Sequence, residues 1–170
     1  MFEFLATAPF GLEGVVADEL RDLGFENVKA QTGGAVFFGE LSDALRANLW
    51  LRCADRVLLV VGRLEAKTFD ALFEGVKRLP WERFIPKDAK FPVSGNCARS
   101  QLMSVSDCQS ITKKAIVERL KQKYRTQTLP EQKETYAVQV ALHNDIATLT
   151  LDTSGTGLSR RGYRTWNGEA

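Results

Sequence analysis

Apolar runs and amphipathic segments alternate along the first 65 residues in an order that few folds accommodate. Apolar side chains at helical spacing stop at Gly24, a residue typical of helix ends. The dipeptide Gly33-Gly34 separates two short runs and predicts a two-residue hairpin turn, because glycine tolerates the positive φ that such turns require. Ser42 and Asp43 predict the cap of a second helix. Strands are thus expected at residues 2–6, 28–32, 35–38 and 57–64, and helices at residues 12–23 and 44–51.

This succession of strand, helix, strand, strand, helix and strand is the βαββαβ order of ferredoxin-like domains. The connections are short, which leaves few other topologies for so small a segment. We therefore predict an α+β protein whose residues 1–65 form a ferredoxin-like N-terminal domain.

From residue 67 onward a second pattern begins, with the order ααβαββ. An amphipathic helix is expected until Pro80 breaks it, and a short helical turn follows around Trp81. Ser106 and Gln109 match a capping box, so a long helix should start near Ser106. Asn144-Asp145 is a good turn pair between two runs that alternate with period two. We predict a strand starting in residues 91–93, paired strands at 136–142 and 146–151, a second domain over residues 66–155, and a basic linker over residues 156–170.

Charge is unevenly distributed along the 170 residues. Residues 1–55 hold nine acidic and four basic residues, whereas residues 56–170 hold twelve acidic and nineteen basic residues, so a net charge of +2 conceals a basic second part. Seven Lys or Arg and only two acids lie between Arg99 and Arg125. Clustered cations attract phosphate backbones, so a polyanion is the expected partner of this part of the chain.

The long helix predicted from residue 106 separates its basic and apolar side chains. At 100° per residue, Lys114, Glu118, Lys121 and Arg125 share one face, and an apolar face is left to pack on the core. A solvated helix face is the plain interpretation of such a charge run. Arg99 before the helix and the arginines near the end of the chain favour nucleic-acid binding instead. The aromatic residues among those arginines, Tyr163 and Trp166, fit either base stacking or core packing.

No metal centre or catalytic centre is predicted from the residue types present. The three cysteines show no Cys-x-x-Cys spacing, and His143 is the only histidine, so neither a zinc site nor a disulfide framework is supported. Asp152-Thr153-Ser154 lacks the glycine that an aspartic protease loop requires after Asp-Thr, and is interpreted as a turn. The cysteine usage indicates a reducing cytoplasm, and the longest apolar run is too short to span a membrane.

Four blocks of sequence resemble the N-terminal region of bacterial THUMP-domain RNA methyltransferases, in particular the guanine-N2 methyltransferases of 23S large-subunit ribosomal RNA. The blocks occur in the family's order and span nearly the whole chain. They are FLATAPFGLE at 4–13, GGAVFFG at 33–39, NLWLRCADRV at 48–57 and LDTSGTGLSRRGYR at 151–164.

The resemblance implies that the ferredoxin-like domain is followed by a THUMP RNA-binding domain, and that a catalytic domain absent from these residues uses S-adenosylmethionine. The chain would then be the RNA-binding and targeting region, with no catalytic residue, cofactor or metal of its own, and would present a base of large-subunit ribosomal RNA. Neither DNA nor a membrane is an expected partner. By position in the family, and for Lys121, Arg125 and Arg164 by charge, the candidate RNA-binding residues are Arg99, Lys113, Lys114, Lys121, Arg125, Arg160, Arg161 and Arg164.

A different class of function stays open from the residues alone. Ferredoxin-like domains also serve as regulatory or protein-interaction modules that bind metabolites or partner proteins. Binding that weakens steeply with added salt would favour RNA, whereas a partner insensitive to salt would favour this alternative.

Overall fold

The computed structural model describes residues 1–160, apart from the side chain of Ser159. The chain divides into two compact units, which we call unit 1 and unit 2. Unit 1 is Met1–Leu59 together with the chain from Asp152, and unit 2 is Val60–Leu151. The domain boundaries expected after residues 65 and 155 stay predictions. The α+β class is confirmed, because helices and strands alternate through both units.

Unit 1 has the βαββαβ order predicted from the sequence. Its strands are arranged in the order β2-β3-β1-β4, and β1 and β3 are antiparallel with Phe4 opposite Phe37. These two rings stack at 5.2 Å and, with Phe25, form the aromatic core of the unit. The elements are β1 (Phe2–Thr7), α1 (Glu13–Asp22), β2 (Lys29–Gln31), β3 (Gly34–Gly39), α2 (Leu41–Trp50) and β4 (Arg56–Glu65), of which β4 continues into unit 2.

Two local predictions in unit 1 are shifted by the structure. The hairpin turn is Thr32-Gly33, one residue earlier than expected, because Gln31 pairs with Gly34. Gly34 is a strand residue at a position where only glycine fits, since a Cβ there would lie 2.1 Å from the carbonyl oxygen of Ala6. Helix α2 starts at Leu41, before the predicted Ser42-Asp43 cap, and Asp43 accepts a hydrogen bond from the backbone N–H of Glu40 at 2.8 Å.

Unit 2 has the predicted order of elements, and the short helical turn expected around Trp81 is a 3₁₀ turn. Its strands are arranged in the order β4-β7-β6-β5; β5 and β6 are parallel, and β6 and β7 are antiparallel. The buried Trp81 of the 3₁₀ turn donates its ring N–H to the carbonyl of Val76 at 2.8 Å. The elements are α3 (Phe69–Arg78), the 3₁₀ turn (Trp81–Arg83), β5 (Val93–Ala98), α4 (Val105–Tyr124), β6 (Val138–His143) and β7 (Ile146–Asp152).

Helix α4 is longer at its start than predicted, and the capping box is wrong. Ser104 occupies the cap position without a side-chain cap bond, and Ser106 lies inside the helix with its hydroxyl 3.4 Å from that of Ser104. The turn between β6 and β7 is confirmed, because Asn144 and Asp145 both have positive φ, at 50° and 63°. Strand β5 continues to Ala98, beyond the residues 91–93 in which it was expected to begin. Its exposed residues, Ser94, Asn96 and Ala98, alternate with half-buried ones, as in a strand with one face open to solvent.

None of the helices within residues 1–160 combines the length and the apolar character needed to cross a membrane.

Candidate nucleic-acid interface

Three cations follow the second half of α4 and its C-terminal end. Lys114 and Lys121 fall about 20° apart when helical residues are placed at 100° intervals, and Arg125 follows the last helical residue in a left-handed conformation with φ at 49°. Eleven residues separate the first from the last, which corresponds to about 16 Å along the helix axis. We call these three side chains the α4 basic face. Such a row can contact several phosphates of one nucleic-acid strand.

The α4 basic face is not neutralised by nearby acids. Within residues 1–160, no carboxylate lies within ion-pair distance of these three side chains. Glu118 lies on the same face one turn after Lys114, but its carboxylate is 3.0 Å from the amine of Lys77 on α3. Lys77 therefore offsets this acid, and the other acid in the same sector, the exposed Asp107, lies about two turns before Lys114. Lys114 and Arg125 are exposed and Lys121 is half-buried, so all three are available to a partner.

Lys113 differs from its neighbour Lys114 in having hydrogen-bond and ion-pair partners, whereas the amine of Lys114 lies 5.9 Å from the centre of the Phe73 ring. Its amine donates to the carbonyl of Phe91 at 3.0 Å, lies 2.7 Å from Glu131, and sits 3.6 Å above the ring of Phe91. These contacts tie α4 to the start of β5 and to the loop before β6. The geometry gives Lys113 a role in packing, and its part in RNA binding stays a prediction.

Two further cations of α4, Arg119 and Lys123, lie close to the same acid, Glu82 of the 3₁₀ turn. Arg119 holds both carboxylate oxygens of Glu82, at 2.9 and 2.6 Å, and Lys123 approaches the same group at 3.9 Å. The hydrogen bonds from Arg119 lower the pKa of Glu82 below its ordinary 4.5. Arg119 and Lys123 are thus partly neutralised within the unit, in contrast to the α4 basic face.

Arg99 lies at the opposite end of the helix from Arg125. It follows β5 in a left-handed conformation with φ at 50°, and its side chain is exposed. The loop after it is held by Asp145, which accepts from the backbone N–H of Gln101 at 2.7 Å and donates its own N–H to Ser100 at 3.0 Å. The 20 residues of α4 span about 30 Å, so Arg99 and Arg125 do not form one cluster.

Of the arginines near the end of the chain that were predicted to bind RNA, Arg160 alone lies within the described residues. Arg160 is exposed in a 3₁₀ turn (Leu158–Arg160) of unit 1. Arg161, Arg164, Tyr163 and Trp166 lie outside the described residues. The assignment of all these residues to an RNA interface stays a prediction.

A groove of about 550 Å³ lies between the start of β5 and α4. Two polar residues line it one turn before the lysines: Gln109, which the sequence analysis assigned only to a helix cap, and Ser110, which it did not single out. Their spacing of three to four residues from Lys113 and Lys114 is the signal that could have indicated them. The lining residues are Pro92, Val93, Gln109, Ser110, Lys113 and Lys114.

The segment after β7 is a hydrogen-bonded turn in unit 1, as interpreted from its sequence. Ser154 accepts from the backbone N–H of Val57 at 2.8 Å and lies 2.7 Å from Oδ1 of Asn48. Asp152 pairs with Arg56 and accepts from the N–H of Ser154. Across residues 1–160, no group of three or more His, Cys, Asp or Glu side chains is placed to hold a metal ion.

Family comparisons agree with this architecture. Residues 3–58 match the family model described as the RlmL ferredoxin-like domain, and residues 66–152 match that of the THUMP domain, which alone covers more than half of the chain. The chain belongs to the THUMP-domain family. The fold and the family resemblance predicted from the sequence are thereby confirmed.

Two curated relatives match this THUMP-domain chain over nearly its whole length. The Bacillus subtilis protein named "Putative RNA methyltransferase YpsC" is 49% identical over 99% of the chain. The protein named ribosomal RNA large subunit methyltransferase K/L of Syntrophotalea carbinolica is 35% identical over 95% of it. The chain covers 44% of the first relative and 23% of the second, so it spans less than half the length of either.

Two solved structures share the fold of this chain. A Listeria monocytogenes protein described as a predicted N6-adenine-specific DNA methylase is 50% identical with a TM-score of 0.94, over 99% of this THUMP-domain chain and 44% of its own. SMU.472, in a crystal structure complexed with SAH, is 40% identical with a TM-score of 0.92, over 97% and 45% of the two chains.

Proposed function

We propose that this THUMP-domain chain binds structured RNA through the α4 basic face and directs a methyltransferase to it. The observation that carries the proposal is the contrast along α4: Lys113 and Arg119 are paired within the unit, whereas Lys114, Lys121 and Arg125 are left without acids among the described residues. A row of cations without acidic partners can neutralise several phosphates, and the release of the counterions of those phosphates increases the affinity for RNA.

The RNA we propose is large-subunit ribosomal RNA, and the reaction is methyl transfer to N2 of a guanine. The name of the K/L relative supports the first part, and the sequence resemblance supports the second. A base must leave its stack before it can be modified, at a cost of a few kcal/mol. Contacts of a separate RNA-binding unit with the RNA backbone would offset part of that cost and would hold the substrate near the catalytic domain. Such a partner would place the protein in the cytoplasm.

S-adenosylmethionine is proposed to bind elsewhere in the polypeptide. The relative SMU.472 was crystallised with SAH, the product that S-adenosylmethionine leaves after methyl transfer. The groove beside α4 does not fit this nucleoside, because its lining includes no acid to accept hydrogen bonds from ribose hydroxyls. The described residues therefore contribute RNA contacts, and no step of methyl transfer is assigned to them.

A charge-reversal experiment tests the interface. The triple variant Lys114→Glu, Lys121→Glu, Arg125→Glu should bind transcribed segments of large-subunit ribosomal RNA more than tenfold more weakly at low salt, as measured by fluorescence polarisation. The matched control Lys29→Glu, Arg52→Glu, Lys67→Glu makes the same change in net charge in other exposed regions. It should lose much less affinity.

Equal losses in the two triple variants would remove the α4 basic face from the interface. Duplex DNA of equal length should bind more weakly than RNA. Preferential binding of DNA would instead support the activity in the description of the Listeria structure.

The groove beside α4 favours the second candidate function, a regulatory module that binds a metabolite or a protein. Its volume is about 550 Å³, and because it is largely open to solvent it would cover only one side of a small ligand. Binding of this kind would be saturable and insensitive to salt, and it would compete with RNA only if the two sites overlap at Lys114.

A further inference from the structure

Two of the three cysteines lie in contact inside unit 2. The sulfurs of Cys97, in β5, and Cys108, in the first turns of α4, are 3.8 Å apart. Cys53 lies in unit 1, so it provides an internal comparison. A disulfide needs a sulfur separation of about 2.05 Å, so the pair is within about 2 Å of bonding distance.

The two thiols differ in access. Cys97 is half-buried, at the edge of the exposed loop that begins with Arg99, whereas only 1% of Cys108 is exposed. Burial, and then the contact with Cys97, raise the pKa of Cys108 to about 12. A small oxidant therefore meets Cys97 first, and Cys108 is placed behind it to react next.

We propose that Cys97 and Cys108 form an oxidisable pair that hydrogen peroxide converts to an intramolecular disulfide. In the first step the sulfur of Cys97 bonds to one peroxide oxygen, the O–O bond breaks, and a sulfenic acid and water result. In the second step the sulfur of Cys108 attacks that of Cys97, the S–O bond breaks, and a second water leaves. The two thiols together lose two electrons and two protons, which the peroxide gains.

The bond would connect β5 directly to the start of α4. Gln109, next to Cys108, already lies close to this strand, where Gly95 offers no side chain: a Cβ there would be 3.4 Å from Cγ of Gln109. The loop between the cysteines is independently anchored by Ser100 and Gln101 on Asp145. Closing the disulfide requires the two sulfurs, now 3.8 Å apart, to approach by about 2 Å, beside the groove that Gln109 and Ser110 line.

Tryptic mass spectrometry of the native chain tests the proposal. After treatment with hydrogen peroxide and blocking of free thiols, digestion should yield residues 91–99 linked to residues 100–113, at a mass two hydrogens below the sum of the two peptides. Dithiothreitol should separate them. Closure over seconds to hours is expected, given the buried second thiol.

Three variants make the result decisive. Cys53→Ser should give the same linked peptide, whereas Cys97→Ser and Cys108→Ala, each checked for native circular dichroism, should give none. The oxidised wild-type chain should also unfold at a higher temperature than the reduced chain, because the closed loop restricts the unfolded state. Unlinked peptides in the folded wild-type chain, a link to Cys53 or a disulfide between two chains would overturn the proposal.

Discussion

Arg119 and Glu82 form a two-point ion pair, with guanidinium Nε and Nη2 at 2.9 and 2.6 Å from the two carboxylate oxygens. The two residues are 37 positions apart, so the pair fastens α4 to the 3₁₀ turn that follows α3. Both side chains are mostly buried, with exposed fractions of 19% and 23%. Planar bidentate pairs of this kind are stronger than ordinary surface salt bridges.

Replacement of Arg119 by Ala should therefore destabilise the chain by about 1–2 kcal/mol in urea unfolding at pH 7. The pKa of Glu82 is lowered in the folded state, so the pair's contribution is fully present above pH 4.5 and is lost as pH falls below that value. The difference between wild type and variant should shrink accordingly. Lys67→Ala, which removes an exposed pair with Glu65, serves as the control and should change little. A constant difference down to pH 3 would contradict this account.

Lys113 and Lys114 should give opposite results although they are adjacent. Lys113→Gln loses the Phe91 carbonyl and Glu131, so it should cost about 1 kcal/mol of stability and weaken RNA binding less than Lys114→Gln does. Lys114→Gln should leave stability unchanged and weaken RNA binding. RNA affinity should be measured at several salt concentrations for the wild type and the Lys114→Gln variant. The plot of log affinity against log salt concentration should be less steep for the variant, by about 0.7–0.9, which is the effect of losing one phosphate contact. An unchanged slope would mean that Lys114 does not contact phosphate.

Two glycine substitutions should shift stability in opposite directions. Gly34→Ala places a methyl group 2.1 Å from the carbonyl oxygen of Ala6, so β1 and β3 must separate, and a loss of about 3 kcal/mol is expected. Gly14→Ala, in the exposed first turn of α1, meets no atom within 4 Å and should stabilise the chain by up to about 1 kcal/mol. Thermal unfolding of both variants checks the strand register, which would be wrong if Gly34→Ala were tolerated.

Thr112 is buried in α4, and its hydroxyl has no hydrogen-bond partner among the described residues. Thr112→Val keeps the shape and removes the unsatisfied group, so it should stabilise the chain by about 1 kcal/mol. Thr112→Ser keeps the hydroxyl and removes the buried methyl group, so it should destabilise by about 1 kcal/mol. Urea unfolding midpoints measure both effects. Loss of stability in the valine variant would reveal a partner for the hydroxyl.

Ser154 closes the turn after β7 within unit 1. Ser154→Ala would leave the N–H of Val57 without its 2.8 Å partner, and a loss of about 1–3 kcal/mol is expected. Limited proteolysis should then cleave residues 152–158 faster. Thr156→Ala, at an exposed position of the same segment, is the control and should resemble wild type. Similar cleavage of both variants would show that Ser154 does not hold the segment.

Much of the fold followed from short-range patterns. The βαββαβ order, the Asn144-Asp145 turn and the apolar side of α4 were predicted correctly, because periodicity and turn chemistry act between near neighbours. The structure moved two predicted positions, the hairpin turn to Thr32-Gly33 and the α4 cap to Ser104. At both, neighbouring residues also fit the same turn or cap preference, so the sequence did not single out one of them. Pairing of Gly34 with Thr7 decided the first of them.

The distribution of basic residues along α4 was readable from residue spacing alone, since a helix repeats every 3.6 residues wherever it packs. Which of those cations remain unpaired was not readable, because Glu82, Glu131 and Lys77 come from 37, 18 and 41 positions away. The contact of Cys97 with Cys108 likewise required α4 to pack against β5. Long-range packing, which no local pattern encodes, therefore paired Arg119 and Lys113 with acids inside the unit and left Lys114, Lys121 and Arg125 without acidic partners among the described residues.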